Sequence, residues 1–160
     1  MATTIDLRTI GTKTNNPVIG WQNIAKDLVA TATSAAPGFP AAAALTYASY
    51  EGWMPSSTSG TFEISLSANV NYIGLHFIGT GTATVQYVTG GSTISSGSFT
   101  ASGAVMILFN INPVTVVRVI VSSFTGYLAN IMFGQYTELQ RKIYVGHTPI
   151  NFARNVDRVQ

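Results

Sequence analysis

The chain predicts an all-β fold: an antiparallel, jelly-roll-like β-sandwich carrying an N-terminal arm and a C-terminal tail. Three observations lead there. Residues 61–67 alternate cleanly, with Phe62, Ile64 and Leu66 on one face and Thr61, Glu63, Ser65 and Ser67 on the other. That period of two is the mark of a half-buried strand. Similar short segments recur at roughly even spacing, at 71–78, 82–88, 94–99, 104–110, 115–122 and 127–133. Turn chemistry separates them: Gly79-Thr80-Gly81, Gly90-Gly91-Ser92, Ser102-Gly103, Asn110-Ile111-Asn112-Pro113 and Thr125-Gly126. Six or seven strands spaced this way argue for an antiparallel sandwich or barrel.

The elements follow in order. Residues 1–44 read as an arm or wrap with little periodicity. Asn15-Asn16-Pro17 signals a turn, and residues 23–32 offer a short helix with Ile24, Leu28 and Val29 as its apolar positions. Pro37 and Pro40 end any helix, and the Ala41-to-Ala44 run is too short to stand alone as one. Residues 45–134 form the sandwich. Its core is predicted from shared alternation: Phe62, Ile64, Leu66, Ile73, Leu75 and Phe77, then Val85, Tyr87, Val117, Val119 and Val121. The stretch 114–121 is nearly all apolar and reads as a central strand. Residues 135–160 form a docking tail, polar at first, then strand-like from Ile143 to Ile150. The chain stops at Gln160 without a capping signal, which reads as a tail laid on something or the boundary of a longer product.

Composition limits the function classes. Only 9% of the 160 residues are charged, against roughly 25% in ordinary soluble domains. A surface so poor in charge is weakly protected against association, so other subunits are expected to cover part of it. No apolar run approaches the roughly 18 residues of a membrane helix, and residues 1–10 lack the pattern of a secretory signal. There are no cysteines, which rules out disulfides, thiolate metal sites and a cysteine nucleophile. The net charge is +2, and four of the eight basic residues, Arg141, Lys142, Arg154 and Arg158, fall in the tail. Nucleic-acid binding needs a denser basic stripe.

Catalytic constellations are thin. Glu51, in a loop, and Glu63, on the polar face of the next strand, could meet across a cleft, and solvated surface acids are the simpler account. His76 shares a strand face with Tyr72, Gly74 and Ile78, while His147 lies in the tail; neither has metal-ligand spacing. No Gly-x-Ser-x-Gly elbow is present. The reading is therefore a non-enzyme with no cofactor and no metal. Tyr47, Tyr50 and Trp53 offer two readings. They form a sugar-stacking platform, or Trp53 plugs the open end of the sandwich, which its position before the first strand favours.

Two resemblances extend this. The loop from Leu45 to Trp53, then Phe62-Glu63-Ile64-Ser65-Leu66, Val70-Asn71-Tyr72-Ile73-Gly74-Leu75, Val116-Val117-Arg118-Val119 and the closing Leu128-to-Phe133 strand resemble discoidin and galactose-binding-domain-like sandwiches. There a Thr…Trp loop precedes a strand ending Asp-Leu-Gly. Leu66 matches that leucine, with Ser65 and Ser67 in place of its neighbours, and Arg118 matches an arginine of a later strand. The paired cysteines of many members are absent. Separately, Phe133-Gly134-Gln135, Leu139 to Tyr144 and Gly146-His147-Thr148-Pro149-Ile150, with the opening Asn15-to-Trp21 stretch, resemble structural proteins of tailed bacteriophages. That resemblance implies a virion tail component, made in the host cytoplasm, with other virion proteins and copies of itself as partners. Trp21, Arg141, Lys142, Tyr144, Ile150, Arg154 and Arg158 would be its assembly contacts. The alternative is a carbohydrate-binding, receptor-recognising module that contacts a host surface glycan through Tyr47, Tyr50 and Trp53. Loop tips of Ser, Thr and Gly alone, as at Gly79 to Thr82 and Gly90 to Ser96, favour the scaffold reading.

Overall fold

The computed structural model describes residues 5–10 and 16–139. Its strands are β1 (Ile5–Ile10), β2 (Val18–Gly20), β3 (Ala30–Ala32), β4 (Gly60–Thr89), β5 (Ser92–Thr100), β6 (Gly103–Gly134) and β7 (Tyr136–Glu138). β4 and β6 are far longer than any single sandwich strand because each runs through both sheets. In the larger sheet the order is β3, residues 60–70, residues 112–121, residues 82–88, then β5. In the smaller sheet it is β1, residues 103–109, residues 72–78, then residues 126–134. β1 joins parallel and the other neighbours are antiparallel. A short β2–β7 ribbon stands apart.

Three expected turns are therefore corners. At Gly79 and Gly126 the ladder stays paired while the chain passes from one sheet to the other. At Asn112 and Pro113 the chain pairs with Val70 and Asn69 and likewise continues. Gly90 and Gly91 do close a hairpin, with φ of 53° and 77°, the left-handed values that a two-residue turn between twisted strands requires. Of the two Ser, Thr and Gly tips expected from sequence, residues 79–82 belong to a continuous strand and residues 92–96 to β5, so neither is a bare loop.

The core sits between the sheets and follows the alternation closely. Phe62, Ile64, Val85, Val117 and Val119 point in from the larger sheet, and Ile73, Leu75 and Phe77 meet them from the smaller. Tyr87 and Val121 are buried too, whereas Leu66 is only half-buried against the core edge. Leu66 lies where the 60–70 segment loses register with its partner, between Ser65 and Ala68, so the pleat no longer holds it fully inward. Tyr87 stacks on Phe109 with ring centres 4.3 Å apart. Residues 112–121 are central in the larger sheet, as expected, but only their inner face is covered by the core; Val116, Arg118 and Ile120 on the other face are half-exposed.

The N-terminal segment does more than wrap. Where described, it adds β1 and β3 to the two sheets and places Ala25 and Ala44 in the core. The expected helix at 23–32 is a single 3-10 turn, Ala25–Asp27. Asn23 Oδ1 accepts the Ala25 amide at 3.0 Å, and Ala30–Ala32 are drawn into pairing with residues 62–64. Pairing an edge strand satisfies more backbone than a two-turn helix, whose nucleation is costly. A second 3-10 turn, Ala41–Leu45, follows Pro40.

Candidate functional site

The smaller sheet turns an open, largely apolar groove of about 350 Å³ outward. Its floor is built by alternation. Tyr72, Gly74 and His76 alternate with the core residues Ile73, Leu75 and Phe77, and Met106 and Met132 flank them on the neighbouring segments. Gly74 matters to the shape, since its missing side chain leaves the floor low between Tyr72 and Met132. The His76 side chain makes no hydrogen bond among the described residues and is the groove's imidazole.

One groove residue is aimed by an irregularity. The register between residues 72–78 and 126–134 skips Ala129. Leu128, Ile131 and Phe133 all point inward, although strict alternation would turn Leu128 and Ile131 to opposite faces. The bulge absorbs the extra residue and leaves Asn130 facing the groove. Asn130 is a buried polar side chain, and its Nδ2 donates to the carbonyl of Thr46.

That bond ties down the loop running from Thr46 to Gly52. Tyr127 Oη donates to the Ser49 carbonyl at 3.2 Å, and Trp53 exchanges both backbone hydrogen bonds with Leu128, at 2.9 and 2.8 Å. Gly52 lies so close to Leu128 that a Cβ there would sit 2.4 Å from its carbonyl oxygen. The loop is thus held at three points, and it presents Tyr47 and Tyr50 to solvent, 66% and 78% exposed. Tyr47 is near enough to the groove residue Tyr72 to act on it electrostatically. Burial, and then the nearby Tyr47 phenol, push the Tyr72 phenol above its ordinary value. Tyr72 Oη donates to the Gln22 carbonyl, which places the Trp21 end of the β2 ribbon on the same side.

The sequence-predicted residues divide. Tyr47 and Tyr50 are each exposed on the anchored loop. Trp53 is not: it is fully buried, packs on Phe62 at 5.6 Å and donates its indole N–H to Ser34 O at 2.8 Å. It has no face left for a sugar and closes the core beneath the loop. Trp21 is 61% exposed beside half-exposed Ile19. Arg141, Lys142, Tyr144, Ile150, Arg154, Arg158 and His147 lie outside the described residues. Glu51 and Glu63 do not face each other. Glu51 sits on the anchored loop of the smaller sheet, and Glu63 pairs with Arg118 on the outer face of the larger one. Among the described residues no three of His, Asp and Glu gather as a metal site. Sequence reasoning missed the groove and Asn130. The even spacing of Tyr72, Gly74 and His76 was the available signal for the groove, but the bulge at Ala129 leaves no mark in composition.

No known family's sequence profile matches the chain, and no curated protein matches it. Solved structures do. A chitosan-binding module 1 from a Paenibacillus sp. IK-5 chitosanase/glucanase is 22% identical, with a TM-score of 0.60 over 71% of this chain and 99% of that one. The family 32 carbohydrate-binding module of C. perfringens NanJ, solved with galactose, is 13% identical, with a TM-score of 0.58 over 72% and 98%. A chitosan-binding module 2 from the same Paenibacillus enzyme, solved with chitotriose, is 12% identical, with a TM-score of 0.57 over 71% and 100%. The fold is thus an all-β sandwich of the galactose-binding-domain-like kind.

Proposed function

We propose that this chain is a non-catalytic carbohydrate-binding module, and that the anchored loop from Thr46 to Gly52 with its adjoining groove is where the sugar sits. The observation that carries the reading is the pair Tyr47 and Tyr50, held exposed by a loop whose backbone is fixed at Thr46, Ser49 and Trp53. Aromatic faces pack against the apolar face of a pyranose, and an exposed aromatic held in place binds without a large ordering cost. The adjoining groove adds the His76 imidazole and the Asn130 amide as hydrogen-bonding groups. The likeness of the whole sandwich to modules solved with galactose and with chitotriose supports this reading. Titration of the chain with those two sugars, against Tyr47→Ala and Tyr50→Ala variants, tests it.

A second reading is assembly as a virion tail component, with copies of this chain and other virion proteins as partners. The observation in its favour is the exposed Trp21 and Ile19 on the β2 ribbon, on a chain with only 9% charge. Apolar and aromatic anchors of that kind concentrate interface energy. The solved structures named above lend it no support. Its test is the solution mass of the chain. A concentration-dependent oligomer that Trp21→Ser returns to monomer supports it, and a monomer at all concentrations counts against self-assembly.

A further inference from the structure

The outer face of the larger sheet carries a different surface. Cross-strand pairing lines up Thr31, Glu63, Arg118 and Gln86 in one row, since Thr31 lies opposite Glu63, Glu63 opposite Arg118, and Arg118 opposite Gln86. The next row runs from Thr61 through Ile120 to Thr84, whose hydroxyl is 3.2 Å from that of Ser98. At the β3 edge the two rows enclose a recess of about 240 Å³ lined by Thr31, Ala32, Thr33, Thr61 and Glu63.

The hydrogen bonds inside the recess leave specific capacity open. Arg118 Nε engages Glu63 Oε2, so Oε1 is left as an acceptor. Thr33 Oγ1 accepts the Thr61 amide at 3.0 Å and keeps its own proton to donate. Thr31 Oγ1 makes only a long 3.5 Å contact to the Glu63 carbonyl. The recess therefore offers a carboxylate acceptor beside hydroxyls that both donate and accept.

We propose that this recess is a second saccharide contact that takes a single neutral pyranose through a vicinal pair of hydroxyls, one donating to Glu63 Oε1 and one bridging the threonine hydroxyls. Three features select that ligand. The Glu63–Arg118 pair has no net charge, so a net ionic ligand gains little there. Among the described residues this face carries half-exposed Val116 and Ile120 but no aromatic side chain of the kind that anchors protein partners. The volume lies below the roughly 300–1,000 Å³ of pockets for larger ligands, so one ring fits rather than a chain. The proposal rests on the saccharide reading above but not on Tyr47 or Tyr50.

The test is amide-resolved NMR of the full chain titrated with galactose and, separately, with chitotriose. Expected are saturable shifts at the amides of Thr31, Thr33, Thr61 and Glu63 with at least one of the two sugars. Glu63→Gln and Thr61→Val should each weaken that response about tenfold, the size expected for a hydrogen bond to or beside a charged group, while shifts in residues 46–52 remain. Shifts confined to residues 46–52 and the groove would overturn this inference and leave the proposed function standing. Shifts nowhere, with either sugar, would overturn both. Recess shifts that persist unchanged in a folded Glu63→Gln and a folded Thr61→Val variant would also overturn it.

Discussion

Asn130 and Thr46 are 84 residues apart in sequence, yet the Asn130 amide donates to the Thr46 carbonyl and fixes the start of the aromatic loop. The bond exists because the bulge at Ala129 turns Asn130 outward instead of into the core. It links a sheet irregularity to the placement of Tyr47.

Asn130→Ala removes that tether. We expect a modest stability loss of about 1–2 kcal/mol, since a buried hydrogen bond contributes on that order and the exposed Thr46 end can turn to water. Hydrogen exchange should rise at residues 46–52 well before the rest of the sandwich. Unchanged protection there would mean the Tyr127 and Trp53 contacts suffice to hold the loop.

Trp53→Ala should be costly, about 3–5 kcal/mol, because it empties a fully buried site between Phe62 and the loop. Urea unfolding measures the loss. Trp53→Phe should cost less and leave sugar binding near the wild-type level, as expected of a core residue that never meets the ligand.

Gly79 and Gly126 pair across the corner between the sheets, with φ of 138° and 133°. A Cβ on Gly126 would lie 2.0 Å from the Ile78 carbonyl oxygen, and one on Gly79 would lie 2.1 Å from that of Thr125. Both contacts are with backbone, which cannot swing aside. Gly126→Ala should therefore destabilise by more than the roughly 1–3 kcal/mol of backbone strain alone. Denaturant midpoints will show this, and a near-neutral result would mean the corner is free to open.

Stability should fall in alkali through two phenols. Burial raises Tyr72 first, with the Tyr47 phenol adding to it; burial raises Tyr87, partly offset by a hydrogen bond with Asn112. In the unfolded chain both ionise near pH 10. Below that their contribution is complete, because folded and unfolded states are equally protonated. Above it the unfolded state loses protons first, so stability drops as the pH rises through the raised folded values. Thermal unfolding from pH 8 to 11 measures this, and Tyr72→Phe should flatten part of the decline.

The sandwich was legible because burial on one face forces alternation. Phe62, Ile64, Ile73, Leu75, Val85 and Val117 could be assigned inward from period alone. Corners were misread as turns, since glycine serves both and sequence does not say whether pairing continues across it. β1 and β3 were missed because short strands that complete a sheet edge depend on their partner's open edge, not on their own pattern. Tyr47, Tyr50 and Trp53 were grouped as one candidate platform, while the position of Trp53 just before the first strand favoured the plug that its full burial shows; nothing comparable in the sequence says how the two tyrosines face. The recess around Glu63 was out of reach for the same kind of reason, since its residues come from β3, β4 and β6 and meet only through register.

The most direct test of the account is calorimetric titration of the intact chain with galactose and with chitotriose. Saturable binding of at least one of them is expected, weakened about tenfold or more by Tyr47→Ala with Tyr50→Ala, the scale of losing an aromatic contact beyond its buried area, with the thermal midpoint unchanged. No binding of either sugar, or equal binding by the folded double variant, would contradict it.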